Sequence, residues 1–403
     1  MNMRTQIEND TLTIYLEGRI DSTNAPAVEA ELFQTVNDNP GTALTIDADR
    51  LDYISSAGLR VLMKLRKQVG KALPVVNVSP EVYEIFDTTG FTELLDVKKR
   101  LREVSVEGCK TLGSGANGTV YRLTRDEIVK VFRPGITLKQ IEAERESARR
   151  AFLLGVPSAI AFDTVRVGES YGTVYEMLDA ATVSECIQEN PGRLEELAVA
   201  CARLLKQMHD TQVPEGQLPH AGQFTHVTVD RVAEDFTPEE VQMMHALYDS
   251  IPQMNRFLHN DYQPKNIMES RGELMLIDLG DACAGNPVVD LIHSYMIFKL
   301  IGSGQQEHGD DEMSFVDMTY GNMRRFWDIF LTTYCQDAEK AARLNEKLEP
   351  YAQMMYLTTA MTHPRLPQAY HAAYADKVRR LTLSRYDEIL GSLKDVLESG
   401  GEK

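Results

Sequence analysis

The sequence predicts a multidomain chain, a small α/β domain followed by a larger α+β body that is β-rich at its start and mainly helical beyond Asp179. In the first hundred residues, short β-branched runs alternate with segments whose apolar residues recur at helical spacing. From about residue 105, strand-like runs crowd together and then give way to helical periodicity. With 403 residues, the chain is long enough for two or three domains with cores of their own.

In the first part, TLTIYLEG (11–18), ALTIDA (43–48) and LPVVNV (73–78) are brief, β-branched and bounded by Gly, Pro or Asp, and read as strands. Between them, AVEAELFQTVN (27–37) and AGLRVLMKLRKQVG (57–70) read as helices, with Leu59, Leu62, Met63 and Val69 inward and Lys64, Arg66 and Lys67 toward water. Helices on a sheet make a small α/β unit. The charged segment VKKRLREVSVEG (97–108) closes it and leads into a glycine-rich stretch without a long spacer. Strands are then expected near 106–112, 118–124 and 127–132, a helix over 138–153, and strands near 160–167 and 171–177. The expected divisions are 1–104, 105–178 and 179–403, with no internal repeat or low-complexity tract.

Composition narrows the function classes. A formal net charge of −18 with no dense basic cluster argues against nucleic acid as a partner. An acidic balance serves solubility, and would also tolerate a cationic small substrate. The five cysteines, Cys109, Cys186, Cys201, Cys283 and Cys335, are scattered and contain no C-x-x-C pair, which points to free thiols in a reducing compartment and away from structural zinc. The N-terminus is polar where a signal peptide needs an apolar core, and no window approaches eighteen uninterrupted apolar residues. No membrane association and a cytoplasmic location are expected.

The chemistry-bearing residues stand in one order. TLGSGANGTVY (111–121) fits G-x-G-x-x-G-x-V through Gly113, Gly115, Gly118 and Val120, and reads equally as a hairpin turn or as a cradle in which backbone amides approach phosphate oxygens. IVKVF (128–132) sets Lys130 in an apolar strand, where an ammonium needs an anion such as nucleotide phosphate unless it snorkels from an edge. Among Glu142, Glu144 and Glu146 on the next helix, Glu144 is the choice to pair with Lys130, the others forming a solvated face. FLHNDYQPKNIM then holds His259, Asp261 and Asn266 on a loop, and LMLIDLGDAC ends an apolar run on Asp278. This H-x-D-x-x-x-x-N pattern with a later aspartate is what phosphoryl transfer uses: Asp261 to orient a hydroxyl, Asn266 and Asp278 as oxygen ligands suited to magnesium. His259 is expected to support the loop. Asp290 is expected to brace it, and Asp281 to bond within its own loop or approach the substrate. His220 and His226, and His308, Asp310 and Asp311 in the acidic stretch QQEHGDDE (305–312), read as solvated positions ahead of a metal site.

GSGANGTVY, IVKVF, HNDYQPKN and IDLGDACAGNPVVDL, in this order, resemble the kinase-like phosphotransferases that include aminoglycoside phosphotransferases and choline kinases, over about residues 105 to 390. The resemblance implies a two-lobed protein-kinase-like α+β domain with a β-rich N-lobe, a mainly helical C-lobe and ATP between them. It puts the hinge near Glu176, Met177 and Leu178, and leaves the C-terminal helices to shape the acceptor pocket. Asn286 departs from the family, which often has aspartate there. Only eleven residues separate Asp278 from Asp290, too few for the long activation segment of protein kinases, so a small-molecule hydroxyl is the favoured acceptor.

In the first domain, YISSAGLRVL (53–62) starts a helix with Ser55 or Ser56 as N-cap. Added phosphate would also be favoured at such a helix N-terminus. LEGRIDSTNA and LDYISSAGLRVL resemble the STAS domain of anti-sigma factor antagonists and sulfate transporter tails. In that family the serine two residues before the glycine, here Ser56, is phosphorylated by a cognate kinase; Ser55 stands where antagonists commonly have aspartate. The expected function is an ATP- and Mg-dependent phosphotransferase acting on a small-molecule hydroxyl, with a STAS domain that recruits a protein partner or regulates. The alternative is a signalling protein whose kinase body phosphorylates Ser56 of its own or another STAS domain. A pseudokinase scaffold is the third reading, set against the presence of Lys130, Asp261, Asn266 and Asp278.

Overall fold

Residues 1–8, 10–70, 72–115, 117–301, 314, 316–362 and 370–394 are described in the computed structural model of the protein. The chain divides into two units, Met1–Ser105 with Val165–Gly168, and Val106–Thr164 with Glu169–Lys403. The acidic stretch 305–312, with His308, Asp310 and Asp311, lies outside the described residues.

Strands β1 (Asn2–Glu8), β2 (Thr11–Ile20), β3 (Ala43–Ile54), β4 (Pro74–Val78) and β5 (Asp96–Lys99) form one sheet in that order in the first unit. β1 and β2 are antiparallel, and the remaining neighbours are parallel. Period-two burial puts Leu12, Ile14 and Leu16 of β2 and Leu44, Ile46 and Ala48 of β3 inward. Helices α1 (Ala25–Asn37), α2 (Ser56–Val69) and α3 (Pro80–Thr88) contribute Leu32, Leu62, Leu65 and Phe86 to the same core. A two-residue strand, β6 (Arg102–Glu103), follows.

The expected closing segment at 97–108 begins as an edge strand instead. Its residues pair with β4, and charge is tolerated at an exposed sheet edge. β1 and α3 are likewise present without having been expected. The strand expected near 106–112 starts only at Thr111, because Gly108 turns the chain at φ 75°.

In the second unit β7 (Thr111–Ser114), β8 (Gly118–Arg122) and β9 (Glu127–Phe132) form an antiparallel meander. Helix α4 (Leu138–Leu153) follows, capped by a Thr137–Gln140 capping box. β10 (Ala161–Val167) and β11 (Ser170–Glu176) complete the order β10-β11-β9-β8-β7. Beyond β12 (Ala181–Thr182) come α5 (Val183–Glu189), α6 (Leu194–Asp210), α7 (Ala221–Arg231) and α8 (Pro238–Asp249). Two small antiparallel pairings then bring the chemistry-bearing loops together: β13 (Arg256–Leu258) with β16 (Cys283–Gly285), and β14 (Ile267–Ser270) with β15 (Glu273–Leu276). Helices α9 (Val288–Tyr295), α10 (Tyr320–Cys335), α11 (Ala338–Met361), α12 (His371–Leu381) and α13 (Tyr386–Ile389) finish the chain. This is a two-lobed α+β domain behind a small α/β domain. Among the described residues, no helix is long and apolar enough to cross a membrane.

Candidate active site

Two elements of the β-rich lobe converge on one ammonium. β9 buries Val129 and so turns Lys130 to the opposite side of the strand. On α4, Ile141, Glu144 and Ala148 share the inward face at helical spacing. Lys130 Nζ lies 2.7 Å from Glu144 Oε1 and 2.7 Å from Asp278 Oδ1, with the lysine side chain 14 % exposed. Glu146 instead takes Arg149 and Arg150 on the outer face, and Glu142 is exposed. Burial works against the charged lysine, yet the Asp278 and Glu144 carboxylates outweigh it and hold its pKa above the ordinary value. Glu144 is raised too, by burial first and then by Asp278 and Asp281, against the pull of Lys130. One ammonium thus serves more carboxylate than it neutralises, leaving the site short of positive charge.

The catalytic-type loop is held from beneath by Asp290, wholly buried on α9. Its Oδ1 accepts from the Asn260 amide at 2.7 Å and its Oδ2 from the His259 amide at 2.9 Å, while His209 Nε2 of α6 sits 3.1 Å from Oδ2. Burial alone would raise this carboxyl; His209 and the His259 amide bring it below the ordinary aspartate value. His209 Nδ1 lies 2.8 Å from the Tyr334 hydroxyl of α10. His259 donates from Nε2 to the Ile277 carbonyl at 3.1 Å, which ties the loop to the residue before Asp278.

With its backbone fixed, the loop presents Asp261. Oδ1 accepts from Gln263 Nε2 at 2.7 Å and Oδ2 from Asn266 Nδ2 at 2.8 Å. Because the Asn266 nitrogen is spent on Asp261, its amide oxygen is the atom left for a cation. Asp278 adopts a left-handed backbone, φ 58°, a strained conformation for a side-chain-bearing residue that recurs at functional sites. Gly280 follows closely: a Cβ there would meet Glu144 Cγ at 2.8 Å, so the Asp278 turn packs directly on α4. Asp281 is exposed, and no hydrogen bond to its carboxylate is present among the described residues. Partial desolvation, then the Asp261 and Asp278 charges, hold it above the ordinary value. The expected bond within its own loop is not found there.

The glycines of the first hairpin divide by role. A Cβ at Gly118 would lie 2.3 Å from the Val131 carbonyl oxygen, so strand pairing alone requires this glycine; nothing lies within 4 Å of a Cβ at Gly113 or Gly115. At the expected hinge, the Glu176 carboxylate accepts from the Ile160 amide at 2.7 Å, just before β10, whereas the Leu178 amide has no hydrogen-bond partner among the described residues. His220 caps α7, and His226 pairs with Asp249 at 2.9 Å. Among the described residues, no cysteine is joined to another by a disulfide.

Ser56 stands in the first unit. Ser55 takes the N-cap, its Oγ accepting from the Gly58 amide at 3.3 Å, and Ser56 is exposed. Gly58 is fixed by packing, since a Cβ would come within 2.6 Å of Ile20.

Sequence reasoning overlooked Gln263, Gly280, His209 and His293. Gln263 and Gly280 stood inside the quoted motifs and could have been weighed there. His209 and His293 lie on helices distant in sequence, where nothing local marks them.

Residues 2–104 match the STAS domain and residues 108–314 the phosphotransferase enzyme family. BtrV of Bordetella bronchiseptica, named as a candidate anti-sigma factor antagonist, is 38% identical over 99 residues, 24% of this chain and 84% of that protein. The anti-sigma-B factor antagonist of Bacillus subtilis is 30% identical over 98 residues, 24% of this chain and 87% of that one. Among solved structures, the ADP-bound aminoglycoside phosphotransferase APH(2'')-Ib aligns over 69% of this chain and 93% of its own, at 16% identity and a TM-score of 0.47. With half its length matched by that family, the chain belongs to the phosphotransferase enzyme family, as a kinase-type phosphotransferase preceded by a STAS domain.

Proposed function

We propose that the protein transfers the γ-phosphoryl of ATP to a hydroxyl of a small molecule. The observation that carries this is the path after Asp278. A single short turn (Leu279–Asp281) and β16 lead straight into α9, which leaves no room between Asp278 and α9 for the long segment on which protein kinases lay a peptide acceptor. Asp261 receives the acceptor hydroxyl and takes its proton as the oxygen bonds to phosphorus. The bond from phosphorus to the bridging oxygen breaks, and its electron pair leaves with ADP. Gln263 and Asn266 keep the Asp261 carboxylate aimed, so that little reorganisation is needed at the moment of transfer. Lys130, steadied by Glu144, and the open backbone at Gly113 and Gly115 would hold the phosphates, and the Leu178 amide would be a donor for the base. Asn266 and Asp278 offer one uncommitted oxygen each, a hard-donor pair that would hold magnesium. When bound, that ion neutralises charge on the transferring phosphoryl group.

In this reading residues 1–104 bind a protein partner, 105–178 hold the nucleotide and 179–403 carry the acceptor site. Five scattered cysteines without a C-x-x-C pair favour a reducing compartment such as the cytoplasm. A second reading, phosphorylation of Ser56 by this active site, is favoured by one observation: Ser55 takes the cap and leaves the Ser56 hydroxyl exposed. The test is incubation with magnesium and labelled ATP, alone and with aminoglycosides, amino alcohols and sugars. We expect a labelled small molecule that falls at least about 100-fold with Asp261→Asn. Label confined to protein, and lost in both Ser56→Ala and Asp261→Asn, would favour the second reading.

A further inference from the structure

Helix α9 faces the catalytic loop with three polar side chains one turn apart, Asp290, His293 and Ser294, at i, i+3 and i+4. Two of them already hold the loop. Asp290 takes the His259 and Asn260 amides, and Ser294 Oγ donates to the Tyr262 carbonyl at 3.2 Å. The third is unspent: His293 Nδ1 is sealed from solvent and has no hydrogen-bond partner among the described residues, and it lies 4.0 Å from Asp261 Oδ1.

That same oxygen has a second unusual neighbour. Gln263 donates to Oδ1 through Nε2, while its own Oε1 is also buried and has no partner among the described residues. Buried polar atoms are nearly always satisfied, and two exceptions flanking one carboxylate oxygen need a reason. Hydrogen bonds among catalytic groups are commonly long without substrate and tighten in the complex. A movement of about 1 Å would bring Nδ1 within bonding range of Oδ1.

We propose that His293 is a positioning residue for phosphoryl transfer, closing through Nδ1–H on Asp261 Oδ1 when nucleotide and acceptor fill the site. It fixes the oxygen that Gln263 also holds, so the opposite lone pairs of Asp261 point at the acceptor hydroxyl. The role falls to α9 because the helix is already anchored to the loop through Asp290 and Ser294, so closing needs only side-chain movement on backbones that are held together. This rests on the reading of Asp261 as the carboxylate that meets the acceptor.

The test replaces His293 by Asn, Gln and Leu in the full chain. ADP formation from magnesium-ATP is followed with water and with the acceptor panel, beside Asp261→Asn. The amide nitrogen of Asn reaches where Nδ1 lies; that of Gln reaches toward Nε2; Leu keeps the volume without a donor. His293→Leu and His293→Gln should lower kcat about 10- to 100-fold, as a misplacement of about 1 Å does, with KM for ATP and the Trp327 melting transition unchanged. His293→Asn should recover most of that loss. Wild-type turnover in His293→Leu, with Asp261→Asn inactive, overturns the inference alone. Equal loss in all three variants with a lowered melting transition assigns the ring to packing and overturns it too. Undiminished turnover in Asp261→Asn removes the underlying reading first, and the inference with it.

Discussion

Replacing Asp290 by asparagine changes one atom and breaks a count. Three donors converge on the carboxylate: the Asn260 amide on Oδ1, and the His259 amide and His209 Nε2 on Oδ2. An asparagine oxygen placed at Oδ2 keeps two of them, but its NH₂ then points at the Asn260 N–H, leaving a buried donor unsatisfied at about 1–3 kcal/mol. The surviving bonds lose charge assistance, and the whole change costs about 3 kcal/mol. At roughly 2–4 °C per kcal/mol, the transition should fall by about 6–12 °C.

The chain supplies its own probe. Trp327 is its single tryptophan, fully buried on α10 against Tyr295 of α9, so its emission follows the unit that contains Asp290. Because the native carboxyl lies below the ordinary value of 3.8, its contribution is fully present above that pH and is lost as pH falls through the native value. The gap between wild type and Asp290→Asn should therefore narrow below pH 3.8. A variant that melts within about 1 kcal/mol of wild type at neutral pH would refute the reasoning.

Two further substitutions separate structural from functional roles. Gly118→Ala drives a Cβ to 2.3 Å from the Val131 carbonyl oxygen and should lower stability by about 2 kcal/mol, whereas Gly115→Ala meets open space and should leave the melt unchanged while weakening nucleotide binding, read by ADP titration. Ser55→Ala removes a helix cap and should cost the first unit about 1 kcal/mol in denaturant melts followed by circular dichroism, while Ser56→Ala should cost almost nothing.

What the sequence disclosed depended on how local each cause was. Asp261 and Asn266 are placed by a loop whose residues are contiguous, and Glu144 by the phase of its own helix, so their positions could be read directly. β1 could not, because six of its seven residues are exposed and MRTQIE carries no alternation; the partner strand makes it a strand. The charged DVKK segment is a strand for the same reason, through β4. Gly118, expected as a phosphate-loop glycine, is in addition required by Val131, a neighbour visible only once the hairpin register is known. His293 lies 32 positions beyond Asp261, so only the folded helix reveals what its ring faces.

The chain of contacts from Tyr334 through His209 to Asp290 extends past the family match, which ends at residue 314. A fragment cut at that limit would retain every recognisable motif and lose the hydroxyl that steadies His209. An inventory of motifs in fragmentary or recombined genes would score such a piece as intact, although one link in the support of its HNDYQPKN loop lies downstream, in a helix that no motif announces.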